Sequence, residues 1–179
     1  MIIEQAQANM RQAFYGGATG ITTSALAWLA AALVAFLVSP RGAIAALCIG
    51  GMFIHPAAIL LSKLLGRPGV PAKDNPLARL ALESTVWLLL AIAVAFVASF
   101  QKTEWFFIAM LLTIGGRYLT FATLYGLRIY WACGAALAGA GFALAVLGAS
   151  SAVIALTGGL IELLFAALIF SGEKKWGHS

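Results

Sequence analysis

Arg117, Glu162 and His55 are the residues of this sequence best placed to do chemistry, because each stands inside a long apolar run. A charge near the middle of a bilayer costs about 2.5–3.5 kcal/mol even on the lenient insertion scale, so such side chains turn inward toward a partner or a wet cavity. Each follows a glycine pair by one to four residues: Gly50-Gly51 precedes His55, Gly115-Gly116 precedes Arg117 and Gly158-Gly159 precedes Glu162. If the glycine pairs mark a repeat, these short offsets predict a similar depth and make Arg117 with Glu162 the expected ion pair. Tyr118, Thr113 and Thr120 are the expected hydrogen-bond partners. Thr113, Arg117 and Thr120 fall at i, i+4 and i+7, which is one face of a helix.

Two readings of this polar centre stand side by side. In one, arginine holds an anion while glutamate and histidine exchange protons, so that the centre binds a solute or relays charge. In the other, the ion pair is a structural lock between two helices. His55 has its own plain explanation, a hydrogen bond to the carbonyl that Pro56 leaves free. Glu83 has one too, pairing with Arg79 four residues earlier. No catalytic residues, cofactor or metal are expected. The sequence holds no zinc-spaced His/Cys/Asp cluster, no phosphate-binding loop, no G-x-S-x-G elbow and no paired intramembrane aspartates. His55 and the tail residue His178 are its only histidines, so two imidazoles cannot ligate a haem within the spans.

The elements that must position these residues are set by composition. Hydrophobic residues make up 63% of the 179 and charged ones 9%, against about 45–50% and about 25% in soluble domains. Mean hydropathy is +0.99. A water-soluble fold this small still exposes about a third of its chain surface and cannot hide so much apolar area. The fold class expected is an all-α membrane protein, a single bundle of six transmembrane helices. The spans are placed at about 19–39, 43–65, 79–99, 105–125, 129–148 and 153–171, each close to the roughly twenty residues that cross the hydrocarbon. Residues 1–18 read as an interfacial amphipathic helix with Ile3, Met10 and Phe14 on one face. A cleavable signal ending near Ala43-Ile44-Ala45 is the weaker alternative, since the start carries an acid and more spans follow. The Pro- and Gly-rich stretch 66–74 is the one substantial loop. Asn75-Pro76 restarts the helix as cap and first helical residue.

The net charge of +5 does not point to nucleic acid, because the basic residues are scattered between spans and form no stripe. They orient the bundle instead. With the N-terminus inside, the inner segments carry Arg11, Lys63, Arg67, Lys73, Arg79, Arg128, Lys174 and Lys175, while the outer ones carry only Arg41 and Lys102. Eight against two places both termini in the cytoplasm. Trp105, Trp131 and Trp176 fall at span ends as interfacial anchors; Trp28 sits nearer mid-span. Cys48 and Cys133 lie at different depths and read as small apolar fillers, not a disulfide. The three Gly-Gly pairs mark the even-numbered spans, and the expectation is three tandem helical hairpins about a pseudo-three-fold axis. Close helix packing is the direct physical use of Gly50, Gly51, Gly115, Gly116, Gly158 and Gly159.

The runs Ile114-Gly115-Gly116-Arg117-Tyr118-Leu119-Thr120-Phe121-Ala122-Thr123-Leu124-Tyr125-Gly126 and Ile49-Gly50-Gly51-Met52-Phe53-Ile54-His55-Pro56 resemble a family of small bacterial membrane proteins of unknown function. The N-terminal Ile3-Glu4-Gln5-Ala6-Gln7-Ala8 carries the same resemblance, which spans nearly the whole chain. It implies a bacterial inner membrane and brings no activity with it. The expected function is small-solute or ion translocation through the polar centre. The alternative is a non-transporting scaffold or lipid-interacting protein. An enzyme acting on lipid is third, for want of a nucleophile beside a base. Membrane lipid is the expected partner, with self-association a further one.

Overall fold

Ser39 and Asn75 show how the sequence starts its helices. Ser39 accepts a hydrogen bond from the Gly42 amide at 3.0 Å, with Pro40 in the first turn. Asn75 accepts from the Leu77 amide at 2.9 Å. Each side chain satisfies an amide that has no partner within its own helix. A computed structural model describes residues 1–176, the last three by backbone alone. The helices are α1 (Ile3–Phe14), α2 (Ala18–Leu37), α3 (Pro40–Leu64), α4 (Leu77–Ala98), α5 (Thr103–Tyr125), α6 (Ile129–Val146) and α7 (Ser151–Trp176). Every regular element among the described residues is helical, and six helices are long and apolar enough to cross a membrane. The all-α, six-span expectation holds. Pro40 opens α3 instead of ending the span before it, and α7 runs past Ser171 to Trp176. The expected anchor Trp176, the charges of Lys174 and Lys175, and His178 involve side chains outside the described residues.

α2 packs along both α3 and α7, α5 packs along both α4 and α6, and α7 joins the two groups through α6 and α5. Successive hairpins therefore meet at α5–α6 and at α7–α2. No comparable packing joins α3 to α4, so the three hairpins have unlike surroundings and close no three-fold ring. α1 sits at one end of this gap. α1 touches α3 and α4, and the 65–76 loop is tied onto it. The Gly69 amide donates to the Ala13 carbonyl at 3.1 Å, the Ala72 amide to Asn9 Oδ1 at 2.9 Å and Asn75 Nδ2 to the Ala6 carbonyl at 3.0 Å.

α1 lies with its apolar face on the bundle. Ala6, Met10, Ala13 and Phe14 are buried, whereas Ile3 is exposed, contrary to its expected place on that face. The chain then turns sharply through Tyr15, Gly16 and Gly17, all at positive φ. Gly17 has a second constraint: a Cβ there would collide with the Tyr130 hydroxyl and the Tyr125 ring. Trp28 is no interfacial anchor. It is buried against Phe107 and beside Gly158, with its indole N–H unpartnered. Trp105 and Trp131 are exposed at their helix starts. Arg79 and Glu83 form the local pair, at 3.5 Å on the exposed side of α4. Both cysteines are free.

Candidate functional site

Arg117 and Tyr118 are neighbours on α5, so the helix turns their side chains about 100° apart. Arg117 points to α4. Its Nη2 donates to Thr85 Oγ1 at 3.0 Å and its Nε to Ser84 Oγ at 3.4 Å, while its guanidinium carbon sits 5.2 Å from the centre of the Phe121 ring. Tyr118 points to α7, where its hydroxyl donates to Glu162 Oε1 at 2.7 Å. The expected Arg117–Glu162 ion pair is therefore not formed. The ion pairs among the described residues are Arg67–Glu173 and Arg79–Glu83.

Arg117 is half-buried at a cavity of about 340 Å³ between α4 and α5. Ser84, Thr113 and Thr120 bring hydroxyls to its lining, and Trp87 and Gly116, both exposed, give it a lateral mouth. The face shared by Thr113, Arg117 and Thr120 is thus real, although the hydrogen bonds of Arg117 run to α4 and not to those threonines. Only two of its N–H groups are used, and the others have no partner among the described residues. A guanidinium with unused donors beside three hydroxyls, in an otherwise apolar cleft and without a carboxylate partner among the described residues, has donors free for a planar or tetrahedral oxyanion.

Glu162 has different surroundings. It is fully buried; beside the Tyr118 bond, its second oxygen has no hydrogen-bond partner. The Ser24 hydroxyl of α2 also lies close to the carboxyl. From Tyr118 a column of rings leads to the α1 turn. Tyr118 is 5.8 Å from Tyr130, Tyr130 stacks on Tyr125 at 5.5 Å, and the Tyr130 hydroxyl donates to the Gly16 carbonyl at 2.6 Å.

His55 is not part of either site. It is exposed on α3, on a stretch that also exposes Gly51, Met52, Phe53 and Pro56, and it makes no hydrogen bond among the described residues. Only α2 covers α3 along its length, because α4 stands away, so a residue at the expected depth finds no centre to enter. The glycine pairs divide similarly. A Cβ at Gly50 would meet Ala27 at 2.9 Å, and one at Gly115 would meet the Gly134 carbonyl at 2.8 Å. Gly51 and Gly116 face open space and are not packing glycines here, whereas Gly158 and Gly159 both press on α2 side chains.

The family model of DUF7010, a family of unknown function, matches residues 3–172. The chain belongs to the DUF7010 family. No curated protein and no solved structure matches it. All six spans of this DUF7010 member begin within the match, and Arg117, Tyr118 and Glu162 lie inside it. It is an all-α membrane protein of a family whose activity is not known.

Ser84, Thr85, Trp87 and Ser24 were not among the expected site residues of this DUF7010 chain. One signal for the first of them was present. Arg117 stands 14 residues after Thr103, the start of α5, and Ser84 stands 14 before Ala98, the end of α4. Equal steps along an antiparallel hairpin bring such residues level. Ser24 had no such signal, since α2 and α7 meet only through the tertiary fold.

Proposed function

We propose that this DUF7010 protein binds a singly charged oxyanion at Arg117 and carries it across the membrane. The observation that supports this reading is the arginine itself, half-buried with unused N–H groups in a cleft to which Ser84, Thr113 and Thr120 bring hydroxyls, and without a carboxylate partner among the described residues. Light packing of one wall favours movement over static binding. α4 packs fully against α5 alone and has the smallest buried share of the six candidate spans, 11%. In the proposed orientation, with the α1 end in the cytoplasm of a bacterial inner membrane, Arg117 lies eight residues from the α5 terminus at Tyr125, or about 12 Å below that end. That depth is within reach of the cytoplasmic headgroup layer, where basic pockets between helices take anionic groups.

A second reading rests on the same bonds: Arg117 docks α4 onto α5 through Ser84 and Thr85, and the protein is a scaffold. Calorimetric titration of the purified protein with dimethyl phosphate, and liposome flux of the same anion, separate the two. Anion uptake is expected to be lost at least tenfold in Arg117→Met and weakened in Arg117→Lys, which keeps the charge without the planar fork. Thermal stability should change little, since the cleft is already open. A parent protein that neither binds nor moves the anion, with a strongly destabilised Arg117→Met, would leave the scaffold reading in place.

A further inference from the structure

Among the described residues Glu162 is the one fully buried acid or base of the charged types, and the anion reading does not use it. Its carboxyl is fully buried where α2, α5 and α7 meet, one oxygen taking the Tyr118 hydroxyl and the other without a partner. The charged and titratable groups facing it are few. α5 offers Tyr118 and, one residue away, Arg117; α6 offers Cys133, with Tyr130 behind Tyr118; α2 contributes only the neutral Ser24. Among the described residues Arg117 is therefore the cation near the carboxyl, and its side chain leaves α5 about 100° away from that of Tyr118.

Building on the anion reading, we propose that Glu162 is a proton-binding site coupled to the Arg117 cleft, so that each oxyanion enters together with one proton. The reason is charge balance in a medium of low dielectric. With the cleft empty, Arg117 is positive, and a Glu162 carboxylate compensates it at a distance. An anion arriving at Arg117 brings its own negative charge, and two negatives against one positive are penalised where water cannot screen them. Transfer of one proton from solvent to the unpartnered Glu162 oxygen forms an O–H bond there and restores neutrality. Anion and proton together carry no net charge. Tyr118 holds the carboxyl in place through the other oxygen. Its position beside Arg117 in the chain ties any shift of the cleft wall on α5 to the carboxyl on α7.

The protein in lipid nanodiscs is titrated with dimethyl phosphate and with dioctanoyl phosphatidylglycerol, neither of which titrates between pH 5.5 and 8. Binding heats are compared in buffers of different ionisation enthalpy to count protons. Parent protein is expected to take up close to one proton per anion, with affinity rising by up to tenfold for each unit the pH falls. Glu162→Gln, which can still accept the tyrosine bond, should bind the anion with no proton uptake and a flat pH profile. Tyr118→Phe should keep the uptake and shift its midpoint. Response to the lipid alone identifies a headgroup as the source of the anion, and response to both identifies a free solute site. Anion binding without proton uptake, or uptake that persists in Glu162→Gln, overturns the coupling and leaves the anion site standing. No binding of either probe removes the anion site, and the coupling with it.

Discussion

At the scale of single residues, one methyl group separates packing from open space. Gly115 lies where α5 and α6 come closest, and a Cβ there would stand 2.8 Å from the Gly134 carbonyl and 3.0 Å from the Ala138 amide. Both are backbone atoms of a helix and cannot swing aside. Gly116, one residue on, meets nothing within 4 Å. Gly115→Ala is therefore expected to destabilise by about 1–3 kcal/mol, the usual cost of overpacking a close contact. Gly116→Ala should be neutral or should stabilise by up to about 1 kcal/mol through helix propensity. Thermal unfolding in one detergent compares the two, and equal losses would contradict the packing described for α5 and α6. Because Gly116 sits at the mouth of the Arg117 cleft, a bulkier residue there should narrow the entrance while the fold persists.

At the scale of elements, α1 works as a cap on the bundle. Arg11 Nη1 donates to the Tyr125 carbonyl at 2.8 Å and Gln7 Nε2 to the Thr123 carbonyl at 2.8 Å. Those carbonyls belong to the last turn of α5 and have no partner within it. A cation at a helix C-terminus is also favoured by the helix dipole. Removing one such bond is worth about 1–2 kcal/mol, the upper part of the range applying to the charged donor. Arg11→Met should thus lower the unfolding temperature more than Gln7→Leu. Gly17→Val should prevent folding, because a side chain there meets an unfavourable φ, the Tyr130 hydroxyl and the Tyr125 ring. Unfolding of Arg11→Met at the parent temperature would show that α1 rests on the bundle without supporting it.

At the scale of the whole molecule, the antiparallel helices gather the basic residues at one end. Arg11, Lys63, Arg67, Lys73, Arg79 and Arg128 belong to the α1 end, and Arg41 and Lys102 to the opposite one. That asymmetry predicts a cytoplasmic α1 end. With Cys48 and Cys133 replaced, a membrane-impermeant thiol reagent applied to intact cells should label a cysteine at Gln101 and spare one at Val70. Both positions are exposed, so access alone decides the result. Labelling at Val70 with none at Gln101 would invert the orientation and move Arg117 to the outer half of the membrane.

Composition alone determined that the chain is a bundle of membrane-spanning helices, because twenty-residue apolar runs have one structural solution in lipid: the backbone must satisfy itself within each segment. Local chemistry also placed Asn75 as a cap, paired Glu83 with Arg79 and set Thr113, Arg117 and Thr120 on one face, since those relations depend only on helical spacing. The partners of the polar residues were decided by tertiary structure. Depth inferred from the glycine pairs put Arg117, Glu162 and His55 together, but depth fixes one coordinate of three. The direction in which each helix faces depends on its neighbours. α3 packs along α2 and not along α4, which leaves His55 outside; α4 takes Arg117; and α7, packed between α2 and α5, gives Glu162 to Tyr118. In a membrane, helix faces are nearly uniform in hydrophobicity, so the sequence carries little record of which face meets which helix.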